Sequence, residues 1–200
     1  MIHPDTKLGY INDEIGYGVI ATSFIKKGTI TWVLDELDRE FTPKQFEELD
    51  SIYKDILDKY SFKNNKGNYI LCWDHARYVN HSFKSNCLTT AYDYEIAIRD
   101  IEPGEQLTDD YGYLNISEPF KAYDEGTQRK VVYPDDLLNY ADVWDKQLLP
   151  AFKEIPNVEQ PLKTLLTKTQ WEDIMIIRKG IKSMDSIRNV YYDPNKKSID

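Results

Sequence analysis

Cysteine is scarce in this chain: Cys72 and Cys87 are the only two among 200 residues. Two thiols cannot build the disulfide framework of a small secreted domain, so reduced thiols and an intracellular setting, cytoplasmic or nuclear, are expected. Nor can they fill a cysteine-rich zinc module. Cys72, His75, His81 and Cys87 are zinc-type ligands, but two, five and five intervening residues match no common zinc spacing, and no metal is expected. No stretch approaches the roughly 18 apolar residues that span a bilayer. The opening MIHPDTKLGY has no apolar h-region, so neither a membrane span nor a secretory signal is expected. Positive charge is in deficit, with 25 Lys and Arg against 34 Asp and Glu, for a net charge of −9. That balance argues against a nucleic-acid backbone as the main partner. It suits a basic protein or peptide, although acidity also serves solubility alone.

What is present is the material of one domain with an extension. Hydrophobic residues make up 41% of the chain and charged ones 30%, enough apolar content for a real core. Fifteen tyrosines, each with an apolar face and a hydroxyl, suit a cleft as well as a core.

Residues 8–41 read as short strands broken by turns at Gly16-Tyr17-Gly18 and Lys26-Lys27-Gly28. Thr42 caps a helix with Pro43 at its first position. Phe46, Leu49, Ile52, Tyr53, Ile56 and Leu57 then recur at helical spacing, which predicts one helix over 43–60. Residues 61–68 read as a polar loop and 69–73 as a strand. The segment 74–85 is irregular, and 86–91 and 94–99 form a hairpin about Tyr92-Asp93. After about residue 115 the pattern becomes helical. Pro134 opens a helix with Leu137, Ala141, Trp144 and Leu148 on one face, and Pro150 is expected to interrupt it. Thr169 to Glu172 reads as a capping box for a last helix that stops at Gly180, and residues 194–200 as a frayed end. The expected division is a β-rich body over 8–115 and a helical extension over 116–193.

Three segments carry groups suited to chemistry. Gly16-Tyr17-Gly18 permits close backbone approach to a ligand, but it lacks the third glycine and following helix of a dinucleotide fingerprint and serves equally as a hairpin turn. Arg77-Tyr78-Val79-Asn80-His81-Ser82, with Asn86-Cys87 beyond, packs donors and acceptors into a non-periodic stretch. Such groups hold a polar ligand or satisfy loop backbone. Gly104-Glu105-Gln106-Leu107-Thr108-Asp109-Asp110-Tyr111-Gly112-Tyr113 sets two carboxylates beside a tyrosine, which suits acid–base work or a solvated turn.

In this order the three resemble the opening G-x-G, the R-F-I-N-H-S…N-C and the closing G-E-E-L-T-x-D-Y-G segments of the SET domain of protein lysine methyltransferases. The resemblance covers roughly residues 8–115. It implies a mainly β fold of small curved sheets with a pseudoknot, an inserted helix at 43–60 beside the substrate groove, and a helical C-terminal extension. It implies methyl transfer from S-adenosylmethionine to a lysine of a basic protein or peptide, with no direct nucleic-acid or membrane partner. Gly16, Tyr17, Gly18, Asn80 and His81 would bind the cofactor, Tyr111 would be catalytic, and Asp109 and Tyr113 would lie along the substrate channel. There are departures. Position 109 is aromatic in many members, and the cysteine-rich flank that closes the cofactor pocket in many of them is missing. The extension, with Tyr133, Tyr140 and Trp144, is the natural substitute. A catalytically weak SET-fold module that binds basic peptides is the alternative, and a zinc-dependent interaction domain a distant third.

Overall fold

The computed structural model describes residues 1–195; residues 196–200, part of the stretch read above as frayed, lie outside the described residues. Strands β1 (Thr6–Asn12) and β2 (Gly16–Ala21) form an antiparallel hairpin. Its turn is Asp13-Glu14-Ile15, not the glycine pair. Asn12 closes it by accepting the N–H groups of Glu14 and Ile15 at 3.0 and 2.8 Å. Gly16, at φ +80°, absorbs the register shift beside Asn12, and Gly18 is already inside the strand opposite Gly9.

Strand β3 (Ile30–Val33) pairs with β9 (Tyr94–Ala97), which pairs with β8 (Cys87–Thr89). This three-stranded sheet is buried on both faces, so its strands read as nearly continuous apolar runs. A second sheet orders β4 (Arg39–Phe41), β6 (Tyr69–Leu71) and β5 (Ser61–Lys63); the last was expected to be loop. The helix expected over 43–60 is two helices. Thr42 and Gln45 form a capping box on α1 (Pro43–Glu47), and α2 (Ser51–Tyr60) restarts at Asp50. The break seats Phe46 flat against Tyr69, ring centroids 4.2 Å apart, and leaves Ile52, Tyr53 and Ile56 exposed.

The closing segment 105–109 runs along β2, with Leu107 N donating to Val19 O at 2.8 Å and Ala21 N to Glu105 O at 2.9 Å. It ends as β10 (Thr108–Asp109), parallel to β7 (Asn80–His81). A parallel pair needs a long crossover, and the β8–β9 hairpin supplies it.

After a small hairpin of β11 (Phe120–Lys121) and β12 (Val131–Val132), the extension holds α3 (Asp136–Glu154) and α4 (Lys168–Arg178). Helix α3 runs straight through Pro150. Pro150 and Lys146, whose carbonyl loses its partner, both face solvent, while Leu148, Ala151 and Phe152 pack inward on either side. The capping box of α4 is Thr167 with Gln170, two residues earlier than expected. Gly180 ends it in a Schellman turn at φ +71°, with Ile181 N donating to Ile176 O and Gly180 N to Ile177 O.

Among the described residues two apolar cores result. Val19, Ile25, Trp32, Cys87 and Leu107 fill one under the β1–β2 hairpin. In the other, Ile30, Leu88, Tyr94 and Ile96 pack against Leu137, Leu148, Phe152 and Ile174. The extension is thus half of a shared core, laid on one face of the central sheet. No described helix is long and apolar enough to cross a membrane.

Candidate active site

The first two motifs meet at Gly18. A Cβ there would stand 2.2 Å from Gln106 Oε1 and 2.7 Å from Asn80 Nδ2, so glycine leaves room for the bonded Asn80 and Gln106 amides over the strand. Asn80 donates to Tyr17 O at 3.0 Å and to Gln106 Oε1 at 2.6 Å, touching the first and third motifs at once. Buried Asn86 fastens the second motif to the third. Its Nδ2 donates to Gln106 O at 2.8 Å, and its Oδ1 accepts the Thr108 N–H at 2.9 Å.

Tyr111 opens a single 3-10 turn, Tyr111–Tyr113, capped by Asp110. Its N–H donates to His81 Nδ1 at 3.1 Å, and its hydroxyl donates to Val79 O at 2.8 Å. Burial, then the nearby Asp109 carboxylate, pushes the phenol pKa well up, so Tyr111 keeps its proton. His81 is pushed down to about 4, chiefly by burial, and is neutral at pH 7. Since Nδ1 accepts a hydrogen bond, the proton sits on Nε2, which is buried with no partner among the described residues. Phe83 stands edge-on to the His81 ring at 4.4 Å and Phe120 at 5.7 Å.

Asp109 and Tyr113 come together in the interior. Asp109 faces Glu95 of β9 beneath the sheet, where burial raises it to about 6 and, joined by Asp109, raises Glu95 well above the usual carboxylate range. Thr31 Oγ1 donates to Glu95 Oε1 at 2.9 Å. Tyr113 is 2% exposed, edge-on to Trp144, and its hydroxyl accepts the Asp110 N–H at 3.2 Å.

Extended residues alternate, so Asp110 turns the other way, to Arg129. A cavity of about 870 Å³ opens there, lined by Phe83, Arg129, Tyr133, Tyr140 and Trp144 among others. The extension reaches the site through residues the sequence did not single out. Phe120 lies against His81 and Tyr111. Glu125 accepts from Ser82 Oγ at 2.7 Å and from Phe83 N at 2.8 Å. Arg129 pairs with Asp110 and Asp136. Of the aromatics expected to close the pocket, Tyr140 and Trp144 surround Arg129, and Tyr133 is exposed. Among the described residues, no three His, Cys, Asp or Glu side chains are placed to hold a metal ion.

Compared with known proteins, residues 16–112 match the family model of the SET domain. No curated protein gives a significant sequence match. Among solved structures, the chain is similar to a Plasmodium falciparum protein described as a candidate histone methyltransferase. The two are 18% identical with a TM-score of 0.40, over 55% of this chain and 95% of that one. It is also similar to a chain of Chaetomium thermophilum Polycomb Repressive Complex 2 in its apo, autoinhibited state. There the identity is 22% and the TM-score 0.44, over 55% of this chain but only 15% of the other.

Proposed function

Because the chain carries a SET domain over residues 16–112, we propose that it transfers a methyl group from S-adenosylmethionine to a lysine side chain of a basic protein or peptide. The observation that carries this reading is that adjacent Asn80 and His81 join three separate segments, Asn80 against Tyr17 and Gly18 and His81 against Tyr111.

The cofactor's sulfonium supplies an electrophilic methyl group. The residues present fit it: Gly16, with nothing within 4 Å of where a Cβ would stand, gives open backbone, Asn80 gives an amide, and the His81 Nε2–H is a buried donor with no partner among the described residues. Tyr111 then does the positioning. Its hydroxyl, pinned near the Val79 carbonyl, is placed to orient an incoming amine in line with the methyl–sulfur bond. Lysine must arrive neutral, since its ordinary pKa is near ~10.4. A dry channel beside a cation favours that form, so no dedicated general base is required. Phe120 and Glu125 take the part of the missing cysteine-rich flank by covering His81 and fastening Ser82-Phe83.

A basic substrate is supported by charge as well as resemblance. Exposed Ile52, Tyr53 and Ile56 on α2 are bordered by exposed Glu47, Glu48, Asp55 and Asp58, of which Glu47 pairs with Lys54; with Asp50 the acidic residues of 43–60 still outnumber Lys44, Lys54 and Lys59. Incubation with isotope-labelled S-adenosylmethionine and a panel of basic proteins, followed by mass spectrometry, tests the proposal. A mass gain of one methyl on lysine supports it. Absence of transfer to every protein, with no cofactor binding by calorimetry, sinks it.

A further inference from the structure

The loop Glu125–Lys130 has neither helix nor strand, yet it touches both halves of the site. Glu125 holds Ser82 and Phe83, just after His81. Four residues on, Arg129 holds Asp110, just before Tyr111, and on its other side Asp136 at the start of α3. The guanidinium is largely buried among aromatic rings, with Cζ 4.6 Å from the Phe83 centroid, 4.3 Å from Tyr140 and 5.8 Å from Trp144. A Cβ on Gly112 would stand 3.0 Å from Arg129 Nη2, from the Asp136 Cβ and from the Trp144 ring alike, so glycine in that position lets all three close on the turn.

We infer that Arg129 is a positioning residue for the methyl transfer, acting through Asp110 to hold the turn that aims Tyr111. The inference rests on the reading of the site given above. Asp110 Oδ1 caps the turn by accepting the Gly112 N–H at 3.0 Å, and the same oxygen faces Arg129 Nη2 at 3.3 Å. Asp110 is 2% exposed, and burial drives its pKa up against the pull of Arg129. Burial alone would lower the Arg129 pKa, and Asp110 and Asp136 more than reverse it. Without the guanidinium, Asp110 is a buried carboxylate with no counter-charge. It then takes up a proton, which weakens the cap one residue from Tyr111 to a neutral hydrogen bond, or turns to water, which gives it up. A lysine at 129 would restore the charge but not the fork that bridges Asp110 to Asp136.

The test uses the full chain with Arg129→Ala and Arg129→Lys. Hydrogen exchange read by mass spectrometry reports on the turn without reference to catalysis. In Arg129→Ala, exchange over residues 108–114 should quicken about tenfold or more, with the central β3–β9 pair unchanged. Single-turnover methyl transfer should fall on the order of 100-fold while cofactor affinity stays within about threefold, the mark of a geometric role. Methylguanidine, a free copy of the lost group, should recover both the slow exchange and much of the rate; ammonium should recover neither. Arg129→Lys should lie between the two. Wild-type exchange over 108–114 in Arg129→Ala overturns the inference, as does a loss confined to cofactor affinity. If Arg129→Ala gives no cooperative melt, Arg129→Lys decides, and wild-type rate and exchange in that variant overturn it. If the wild-type chain transfers no methyl group, the reading of the site fails instead, and the exchange arm alone decides whether Arg129 orders the turn.

Discussion

His81 accepts the backbone N–H of Tyr111 on Nδ1 at 3.1 Å, which ties the second motif to the third through a nitrogen that must stay unprotonated. Protonating the ring would put two donors face to face. This adds to the burial that already holds His81 near pH 4 against an ordinary value of 6.5.

The stability consequence has a definite sign. The folded-state pKa lies below the unfolded one, so between about 4 and 6.5 the unfolded chain binds more protons. The His81 contribution is therefore complete above about pH 6.5 and is lost as pH falls toward 4. Its partial exposure limits the loss to about 2–3 kcal/mol. His81→Asn keeps an acceptor for the Tyr111 N–H but does not titrate. Urea midpoints from pH 7.5 to 4.5 should fall less steeply in that variant than in the wild type. Parallel slopes would show that His81 is not the acid-sensitive group.

The Glu95–Asp109 pair works in the opposite direction. Both carboxyls are buried and both titrate above their ordinary values, Asp109 at about 6. The folded state therefore holds protons that the unfolded chain has released, and stability declines as pH rises from the ordinary carboxylate range, the Asp109 share being gone just above about 6 and the Glu95 share continuing beyond. Glu95→Gln removes one titrating group and can donate an amide N–H to Asp109, whose Oδ1 has no partner among the described residues. The variant should lose less stability than the wild type between pH 6 and pH 9, and its thermal midpoint should be the higher at pH 9. Equal loss in both proteins would mean the two carboxyls do not share a proton.

Gly18→Ala tests the contact between the first two motifs. The new Cβ would stand 2.2 Å from Gln106 Oε1 and 2.7 Å from Asn80 Nδ2, so the bonded pair of amides must shift, pulling Asn80 from Tyr17 O, or the strand must bulge. Cofactor affinity should drop by about tenfold or more with only about 1 kcal/mol lost in stability, because Gly18 already has strand geometry. Calorimetric titration of S-adenosylmethionine reads the first, and a thermal melt reads the second. Unchanged affinity would place the cofactor elsewhere.

Removing the extension is expected to unfold the body. Truncation after Ile116 would strip Leu137, Leu148, Phe152 and Ile174 from Ile30, Leu88, Tyr94 and Ile96, exposing one whole face of the central sheet. The truncated chain should show no cooperative melt and should bind a hydrophobic dye. A sharp melt would show that the body folds alone and that the extension only docks.

The inward face of α3 was legible because Leu137, Ala141, Trp144 and Leu148 repeat at helical spacing, and periodicity survives whatever the partner is. The approach of Asn80-His81 to Tyr111 was legible only through motif resemblance, since the crossover that joins β7 to β10 leaves no local signal. Pro150 misled because the cost of a proline depends on whether its lost bond faces water, which local sequence does not state. The apolar spacing of 43–60 concealed a break after Glu48, because the stacking of Phe46 on Tyr69 is a tertiary contact. Phe120, Glu125 and Arg129 lie in a polar stretch without periodicity. An arginine between two aspartates is visible there only once Asp110 and Asp136 are brought together in space.

Tyr111→Phe separates a catalytic tyrosine from a structural one. The ring stays, and with it the packing on His81 and Phe120, 5.3 and 5.7 Å between centroids. The backbone N–H still reaches His81. What goes is one hydroxyl, bonded in the resting protein to the Val79 carbonyl at 2.8 Å. Losing that bond leaves a backbone acceptor short of one partner, a cost of about 1 kcal/mol in stability. If the same hydroxyl orients the amine as it attacks, the loss in rate is far larger, on the order of 10²–10³. Cofactor affinity should hardly move, because the contacts assigned to binding lie at Gly18, Asn80 and His81. Asn80→Ala should give the converse, weaker binding with a smaller effect on the rate at saturation. Single-turnover transfer at saturating cofactor, beside calorimetric affinities for both variants, resolves the two roles. Wild-type rates from Tyr111→Phe would remove Tyr111 from the chemistry. Tyr113, 2% exposed and bonded to Asp110 N, would then be the next hydroxyl to remove.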